Sequence, residues 1–198
     1  TCALPIWSID VNGFGTLITT EECLLDQNIQ PRNPGITKCE LEELFRDLLG
    51  ITNVIWLNRG IEGDDTHGHI DDICRFVDSG TLVLAMETNK SDLNTSILAE
   101  NMERLEQVRL ENGTKPTVVM LPMPKPIYYK KWRLPASYAN FYIANNVVLV
   151  PIFNDPADRK ALGILSDLFP TRDVIGVCAE DLLIGLGGIH CITLQEPF

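Results

Sequence analysis

A strand–strand–helix–strand pattern that recurs about three times restricts the fold of this 198-residue chain more than any other feature. Each copy predicts two short strands joined by a tight turn, then an amphipathic helix and a closing strand. The predicted strands are residues 8–11, 16–19 and 53–57 in the first copy, 70–77, 81–86 and 117–121 in the second, and 138–144, 147–153 and 173–178 in the third. Residues 189–194 resemble the opening strand of a fourth copy. The pattern therefore predicts an α/β fold built of ββαβ units.

The helix of each copy follows its second strand. In the first copy, Thr37 and Glu40 predict a capping box, and Gly50 is suited to end the helix. One apolar stripe lies between them, formed by Leu41, Leu44, Phe45, Leu48 and Leu49. We expect the second helix at about residues 91–112 and the third after Asp155, which would cap it.

Composition and charge narrow the class of protein. Hydrophobic residues make up 45% of the chain, enough for one globular domain with its own core. The formal net charge of -11 argues against a nucleic-acid partner and favours cationic small molecules. No apolar run approaches the roughly 20 residues that span a bilayer, and residues 1–7 lack the pattern of a signal peptide. We therefore expect a cytoplasmic protein that binds neither nucleic acid nor membrane.

The six cysteines show no CxxC spacing, so neither a zinc ribbon nor a dithiol redox site is predicted. We expect most of them, including Cys74 and Cys178, to be buried thiols that pack as small apolar residues. Cys191 differs because of the motif around it, GGIHCIT at residues 187–193.

Cys191 and an acid- and histidine-rich segment at residues 63–72 supply a thiol, imidazoles and carboxylates. Such groups can attack an electron-poor carbon covalently. Carboxylates also match a planar guanidinium cation, which indicates an arginine-like substrate. The polar residues fall at equivalent points of successive copies: His69 and Asp71 at the second opening strand, Asn140 in the third and Cys191 in the fourth. A radial arrangement of the copies would bring all of them to one axis.

Four segments carry a resemblance to a known family. They are WLNRG at 56–60, GDDTHGHID at 63–71, LPASYANFY at 134–142 and GGIHCIT at 187–193. Through them the chain resembles agmatine deiminases, members of the guanidine-modifying α/β-propeller superfamily that includes bacterial peptidylarginine deiminases. The resemblance implies a partial, pentein-like α/β-propeller: five ββαβ units surround a pseudo-fivefold axis in the family, and this chain covers the later ones.

The resemblance also implies that residues 1–198 form a single catalytic domain that is incomplete at its N-terminal side. Family members carry an upstream Trp-x-Arg-Asp segment whose carboxylate helps to grip the guanidinium, and no counterpart occurs here. The Gly-Gly expected before Ser8 is replaced by Pro5-Ile6-Trp7, so we expect residues 1–7 to be foreign to the family. Because a partial ring leaves an open interface, we also expect poor solubility or self-association into a homo-oligomer.

The activity implied by the resemblance is hydrolysis of agmatine to N-carbamoylputrescine and ammonia, a step of putrescine biosynthesis and polyamine metabolism, without a cofactor or metal. Cys191 would be the nucleophile, His69 the general acid and base, and Asp71 the carboxylate that holds the guanidinium. Asp65 matches the acidic position near the distal ammonium of agmatine. We expect Asn140 to shape the same pocket, and we expect Gly188 to contribute to substrate binding from a mobile glycine-rich loop.

Three other functions stay open from the sequence. The substrate could be a peptidylarginine or another guanidine, and the chain could be an inactive fragment. A metal-dependent hydrolase is the third, with His67 and His69 as ligands beside the acids and Cys191. For the remaining polar residues we expect Asp64 and Asp72 to cap or solvate a loop, while His67 and His190 are candidates for structural roles.

Overall fold

The computed structural model describes residues 5–196, which fold as three successive α/β units. The first unit contains strands β1 (Ile9–Val11) and β2 (Thr16–Thr20), helices α1 (Glu21–Leu25) and α2 (Lys38–Leu49), and strand β3 (Asn53–Leu57). Strand β2 is central, antiparallel to β1 and parallel to β3. The predicted strand–strand–helix–strand order is therefore confirmed for this unit.

Both ends of α2 follow the local sequence signals. The Thr37 hydroxyl accepts from the backbone N–H of Glu40, and the Glu40 carboxylate accepts from the backbone N–H of Thr37 at 2.8 Å, so the predicted capping box is present. Gly50 ends the helix in the left-handed region, at φ 71°. The predicted apolar stripe is wider than the buried face, since Leu48 and Leu49 are exposed to solvent.

The second unit repeats this arrangement with strands β4 (Cys74–Phe76), β5 (Thr81–Met86) and β6 (Thr117–Pro122) and helix α3 (Asn94–Gln107). Strand β5 is central, antiparallel to β4 and parallel to β6. The helix is shorter than the predicted 91–112. Its first N–H groups are met by loop residues, as Asn94 donates to a carboxylate oxygen of Asp92 at 2.9 Å. After α3 the chain turns away, and Leu110 is buried.

A small hairpin follows the second unit, formed by β7 (Tyr128–Tyr129) and β8 (Trp132–Arg133). Its aromatic residues are exposed, and it is tied to the second unit by an ion pair of 2.9 Å between Arg133 and Asp92. The sequence did not predict this hairpin, because its two strands are too short to give a periodic signal.

The third unit contains β9 (Tyr142–Ile143), β10 (Val147–Ile152), helix α4 (Ala157–Leu168) and β11 (Asp173–Cys178), followed by the short helix α5 (Glu180–Leu183). Strand β10 is antiparallel to β9 and parallel to β11, as in the other two units. Three copies of the ββαβ unit are thus present, and the closing strands at 53–57 and 173–178 match the prediction residue for residue.

The opening strands, by contrast, are wrong in extent. Residues predicted as strand at 70–77 begin as a 3-10 helix, Ile70–Asp72, before β4. Those predicted at 138–144 begin as a turn after Ser137 and pair only as β9. The predicted strand at 189–194 is a 3-10 helix, His190–Ile192, with no strand in the described chain paired to it. Each of these segments carries one residue of a polar cluster, Asp71, Asn140 or Cys191, whose side chains contact one another. Such contacts do not follow the alternation of side chains in a strand.

The helices interlock consecutive units. Helix α3 packs on β5 of its own sheet and on β3 of the preceding unit, and α4 packs likewise on β11 and β6. Leu98 and Leu105 of α3 therefore share an apolar cluster with Ile55 of the first sheet, and Leu165 of α4 shares one with Leu121 of the second. The sheets stay separate, and none closes on itself within residues 5–196. None of the helices described is both long and apolar enough to cross a bilayer.

Candidate active site

Three distant segments meet at one buried polar cluster. Cys191 comes from the 3-10 helix near the C-terminal end, Asp71 from the 3-10 helix before β4, and Asn140 from the turn before β9. The amide nitrogen Nδ2 of Asn140 donates to Asp71 Oδ2 at 3.1 Å and to Cys191 Sγ at 3.2 Å. The thiol itself lies 3.4 Å from the same Asp71 oxygen. The cluster thus joins a thiol to a carboxylate across 120 residues of sequence.

Asp72 belongs to this cluster as well, so the expectation that it caps or solvates a loop is wrong. Its side chain is buried, and Asn140 Nδ2 donates to Asp72 Oδ1 at 2.9 Å. Burial, followed by the charge of Asp71, raises the pKa of Asp72 well above its ordinary value. The only sequence signal for a buried Asp72 was that it adjoins another acid, and surface loops also carry adjacent acids.

His190 precedes the cysteine and makes the shortest contact to Asp71. Its Nδ1 lies 2.8 Å from Asp71 Oδ2, and its backbone N–H donates to Asn140 Oδ1 at 2.8 Å. Asp71 Oδ2 therefore faces donors from His190, Asn140 and Cys191 together. The other oxygen, Oδ1, is buried and has no hydrogen-bond partner among the described residues.

The imidazole of His69 is buried, with 4% of the residue exposed, and neither ring nitrogen has a hydrogen-bond partner within residues 5–196. Burial lowers the pKa of His69 below its ordinary 6.5, and the nearby charges of Asp71 and Asp64 oppose that effect. The backbone N–H groups of Gly68 and His69 donate to Asp64 Oδ2 at 2.9 and 3.0 Å, which fixes the loop ahead of the ring. Asp64 thus holds the loop, as expected.

Gly188 passes directly over Asn140. A Cβ built on Gly188 would lie only 2.6 Å from Asn140 Cγ, so this close approach requires glycine. Burial, then the charges of Asp71 and Asp72, raises the pKa of the Cys191 thiol well above its ordinary value. The hydrogen bonds from Asn140 and from the Gly188 backbone act in the opposite direction.

Asp65 lies at the wall of a cavity of about 610 Å³ that Trp132 and Leu134 also line. Partial burial, and then the charge of adjacent Asp64, raises the pKa of Asp65 above its ordinary value. None of the cluster residues named above is among the described residues that line this cavity. Asp65 is in the same loop as His69, whose pKa its charge affects, and the cavity is also lined by Leu186, two residues before Gly188.

Comparison with known proteins identifies the family. Residues 7–197 match the model of the Porphyromonas-type peptidyl-arginine deiminases. The chain belongs to this family. The agmatine deiminase of Pseudomonas aeruginosa (strain LESB58) is 38% identical over 208 residues, which cover 96% of this chain and 56% of that protein. The chain thus spans little more than half the length of the curated relatives it matches.

Two solved structures are similar to it. A cysteine-to-serine variant of C. jejuni agmatine deiminase, with substrate bound, has a TM-score of 0.85 and 35% identity, covering 93% of this chain and 53% of that one. The agmatine deiminase of Enterococcus faecalis has a TM-score of 0.90 and 31% identity, covering 96% and 56%. The three-unit fold is therefore shared with these two agmatine deiminases.

The residues predicted from sequence divide into two groups. Asp71, Cys191 and Gly188 each contact Asn140. Asp65 instead lines the 610 Å³ cavity, and the ring nitrogens of His69 have no hydrogen-bond partner within residues 5–196. Sequence reasoning missed Asp72 and left His190 undecided. For His190, the available sequence signal was its position directly before Cys191.

The cysteine and histidine expectations were met unevenly. Cys74 is buried as expected, but Cys178 is exposed because it ends an edge strand. His67 contacts Asp26, with 3.0 Å from Nε2 to Oδ2, instead of sharing ligands with His69. No group of three or more His, Cys, Asp or Glu side chains among the described residues is arranged to hold a metal ion. Residues 5–196 therefore provide no set of metal ligands that would support the alternative of a metal-dependent hydrolase.

Proposed function

We propose that this chain carries the catalytic centre of an agmatine deiminase, with Cys191 as nucleophile, His69 as general acid and base, and Asp71 as the guanidinium-binding carboxylate. The observation that carries the proposal is the single cluster in which Cys191 Sγ and Asp71 Oδ2 lie 3.4 Å apart, beside an Asp71 Oδ1 that has no hydrogen-bond partner within residues 5–196. A cationic, planar group is what this arrangement would accept.

A bound guanidinium would supply positive charge beside the two carboxylates of the cluster. Two adjacent carboxylates, Asp71 and Asp72, share a buried site in which Asn140 is the neutral donor to both. A guanidinium N–H directed at Asp71 Oδ1 would supply the missing hydrogen bond and place a positive charge beside the sulfur. That charge would lower the pKa of the Cys191 thiol, which burial and the two acids raise in its absence.

The first half of the reaction would then proceed by proton transfer and attack. His69, whose lowered pKa keeps it neutral near pH 7, would accept the thiol proton as the sulfur attacks the guanidinium carbon. The tetrahedral adduct would collapse as the imidazolium returns that proton to the departing nitrogen, which leaves as ammonia. A thiouronium on Cys191 remains.

The second half would hydrolyse this intermediate. His69, neutral again, would take a proton from water as the oxygen attacks the thiouronium carbon. Breaking the C–S bond would release N-carbamoylputrescine as the hydroxyl proton of the adduct passes to solvent, and it would regenerate Cys191, which recovers its proton from His69. Water and the guanidinium form of agmatine thus give N-carbamoylputrescine and ammonium, the proton released to solvent having joined the ammonia, with no oxidant, metal or other co-reactant.

Agmatine is favoured over a peptidylarginine by two observations. The relatives and structures described above are named agmatine deiminases, although the family name refers to peptidyl-arginine. Asp65 adds a second carboxylate near the site, and an anion there suits a primary ammonium better than the α-carboxylate of arginine. A peptidylarginine or another guanidine is the competing substrate.

We further propose that the three units are part of a radial, propeller-like arrangement. The helix of each later unit packs on the last strand of the unit before it, through α3 on β3 and α4 on β6. The outer side of α2 lacks such a neighbour in the described chain, and Leu48 and Leu49 are exposed there. A preceding unit packed in the same way would cover them.

The test is to incubate the purified protein with agmatine and to follow ammonia and N-carbamoylputrescine. We expect Cys191→Ser to abolish turnover, because a serine hydroxyl is a far weaker nucleophile under these conditions. The matched control is Cys178→Ser, which alters an exposed thiol at the end of β11, away from the cluster. Turnover that survives Cys191→Ser would refute the proposal.

An inactive wild-type chain would raise the fragment alternative, since the chain spans 56% of its relatives. The same assay on the protein made from the gene's full reading frame separates the two explanations. Activity that appears only there, and is lost with Cys191→Ser, supports the catalytic assignment. Activity absent from both proteins would refute the choice of substrate.

A further inference from the structure

We propose that His190 is a positioning residue for Asp71: its Nδ1–H holds one carboxylate oxygen, so that the other is presented to the substrate guanidinium. The proposal deepens the proposed function and rests on it for the identity of the cation. It assigns a task to the histidine adjacent to the nucleophile.

The contact distances rank the partners of Asp71. His190 Nδ1 is 2.8 Å from Oδ2, closer than Asn140 Nδ2 at 3.1 Å and Cys191 Sγ at 3.4 Å. An ionised carboxylate only accepts hydrogen bonds, so the proposed contact uses the tautomer of His190 that carries its proton on Nδ1. A charge-assisted bond of this length is the strongest contact that orients the Asp71 side chain.

Hydrogen bonds to the His190 backbone fix the position from which its imidazole extends. The His190 N–H donates to Asn140 Oδ1 at 2.8 Å, and the His190 carbonyl accepts from the Thr193 hydroxyl at 2.7 Å and from the Thr193 N–H at 3.0 Å. Because His190 and Cys191 are consecutive in one 3-10 helix, the same anchoring fixes the nucleophile and the group that orients Asp71. The sulfur and the guanidinium-binding oxygen therefore keep a constant separation.

The contact also affects the thiol without substrate. Asp71 Oδ2 faces both the His190 N–H and the Cys191 sulfur, so a donor on this oxygen reduces the negative potential that the sulfur experiences. Removing that donor would make the thiolate harder to form. This effect is measurable by alkylation, independently of any catalytic turnover.

Three substitutions separate positioning from simple packing. Asn places its Nδ2 donor at the position of the histidine Nδ1, whereas Gln carries its donor one bond further away, and Ala has none. We therefore compare His190→Asn with His190→Gln, and His190→Ala with the wild type. Thermal melts identify any variant that does not fold; the Asn and Gln variants decide the question if the Ala variant fails.

The first readout is the pH dependence of Cys191 alkylation by iodoacetamide, followed on the Cys191 peptide by mass spectrometry without substrate. We expect His190→Ala and His190→Gln to move the profile to higher pH by about half a unit, which is about threefold in rate at fixed pH. His190→Asn should restore most of the wild-type profile. Coincident profiles for all four proteins would overturn the proposal.

The second readout is kcat/KM for agmatine. We expect His190→Ala and His190→Gln to lower it by about 10- to 100-fold, the range of one lost charge-assisted hydrogen bond, with recovery in His190→Asn. Equal losses in the Asn and Gln variants would also overturn the proposal. If the wild-type chain does not turn over agmatine, kcat/KM is measured on the protein made from the gene's full reading frame. Activity absent there as well would refute the choice of substrate, and the alkylation profiles would still decide the role of His190.

Discussion

Replacing Gly188 by alanine tests whether the site depends on the close passage of this loop over Asn140. The added Cβ would lie 2.6 Å from Asn140 Cγ and 3.0 Å from Asn140 Cβ, closer than packed carbons allow, so the asparagine must move. Moving it breaks the bonds from Nδ2 to Asp71 and Asp72, both to carboxylates. We expect a loss of about 2–4 kcal/mol in unfolding free energy, from overpacking and the weakened hydrogen bonds.

Catalysis should suffer as well, because Asn140 also contacts the Cys191 sulfur at 3.2 Å. A displacement near 1 Å at a reacting group costs about 100-fold in rate, so we expect kcat/KM for agmatine to fall by about that factor or more. The control is Gly163→Ala in α4, where a Cβ meets nothing within 4 Å. That variant should be as active as the wild type and more stable by up to about 1 kcal/mol.

A double-mutant cycle gives the decisive assay. If Gly188→Ala acts only by displacing Asn140, it should have little further effect in an Asn140→Gly background, which removes every Asn140 side-chain atom that the new Cβ would meet. Urea unfolding and agmatine kinetics are measured for the wild type, the two single variants and the double variant. Additive losses in both measurements would refute the steric reasoning.

Three further predictions concern charge. Asp72→Asn should stabilise the protein near pH 7: because the pKa of Asp72 is raised above its ordinary 3.8, stability is full below that value and is lost as pH rises toward the raised pKa. Urea melts from about pH 4 to pH 8 should show the variant's advantage growing with pH, and a constant difference would contradict this. Asp65→Asn should lower kcat/KM for agmatine about 10-fold and leave arginine nearly unchanged, so an equal loss for both substrates would remove Asp65 from substrate selection. Cys191, whose thiol pKa is raised, should react with iodoacetamide at about pH 8 more slowly than exposed Cys178, and the reverse order in peptide mass spectrometry would contradict the raised pKa.

The units were predictable because their signals are local. Thr37 and Glu40 form the capping box that their spacing predicts, and the closing strands consist of apolar, β-branched residues between turn signals. Turn geometry at Gly50 followed from the same kind of signal. Residues three or four positions apart decide such features, so they can be identified without knowledge of the tertiary fold.

The opening segments were not predictable in the same way, since their conformation depends on what they face. Asp71 and Cys191 both lie in 3-10 helices where strands were expected, because each side chain turns toward a partner that is distant in sequence. At the third segment a local signal was available: the Ser137 hydroxyl accepts from the Ala139 N–H, the type of turn that serine favours. The cluster members were thus recognisable as candidates, while the bonds among them were not.

Without substrate, the cluster places two acids, Asp71 and Asp72, beside the Cys191 thiol. Burial and adjacent acids raise the pKa of both Asp72 and the Cys191 thiol, so both groups keep their protons to higher pH than usual. In the proposed reaction a guanidinium would bring the opposite charge to the same place, and its binding energy would increase as the thiolate forms. Binding of the cation and activation of the Cys191 thiol would then be one electrostatic event, so that a thiol protonated in the free protein would attack only with substrate present.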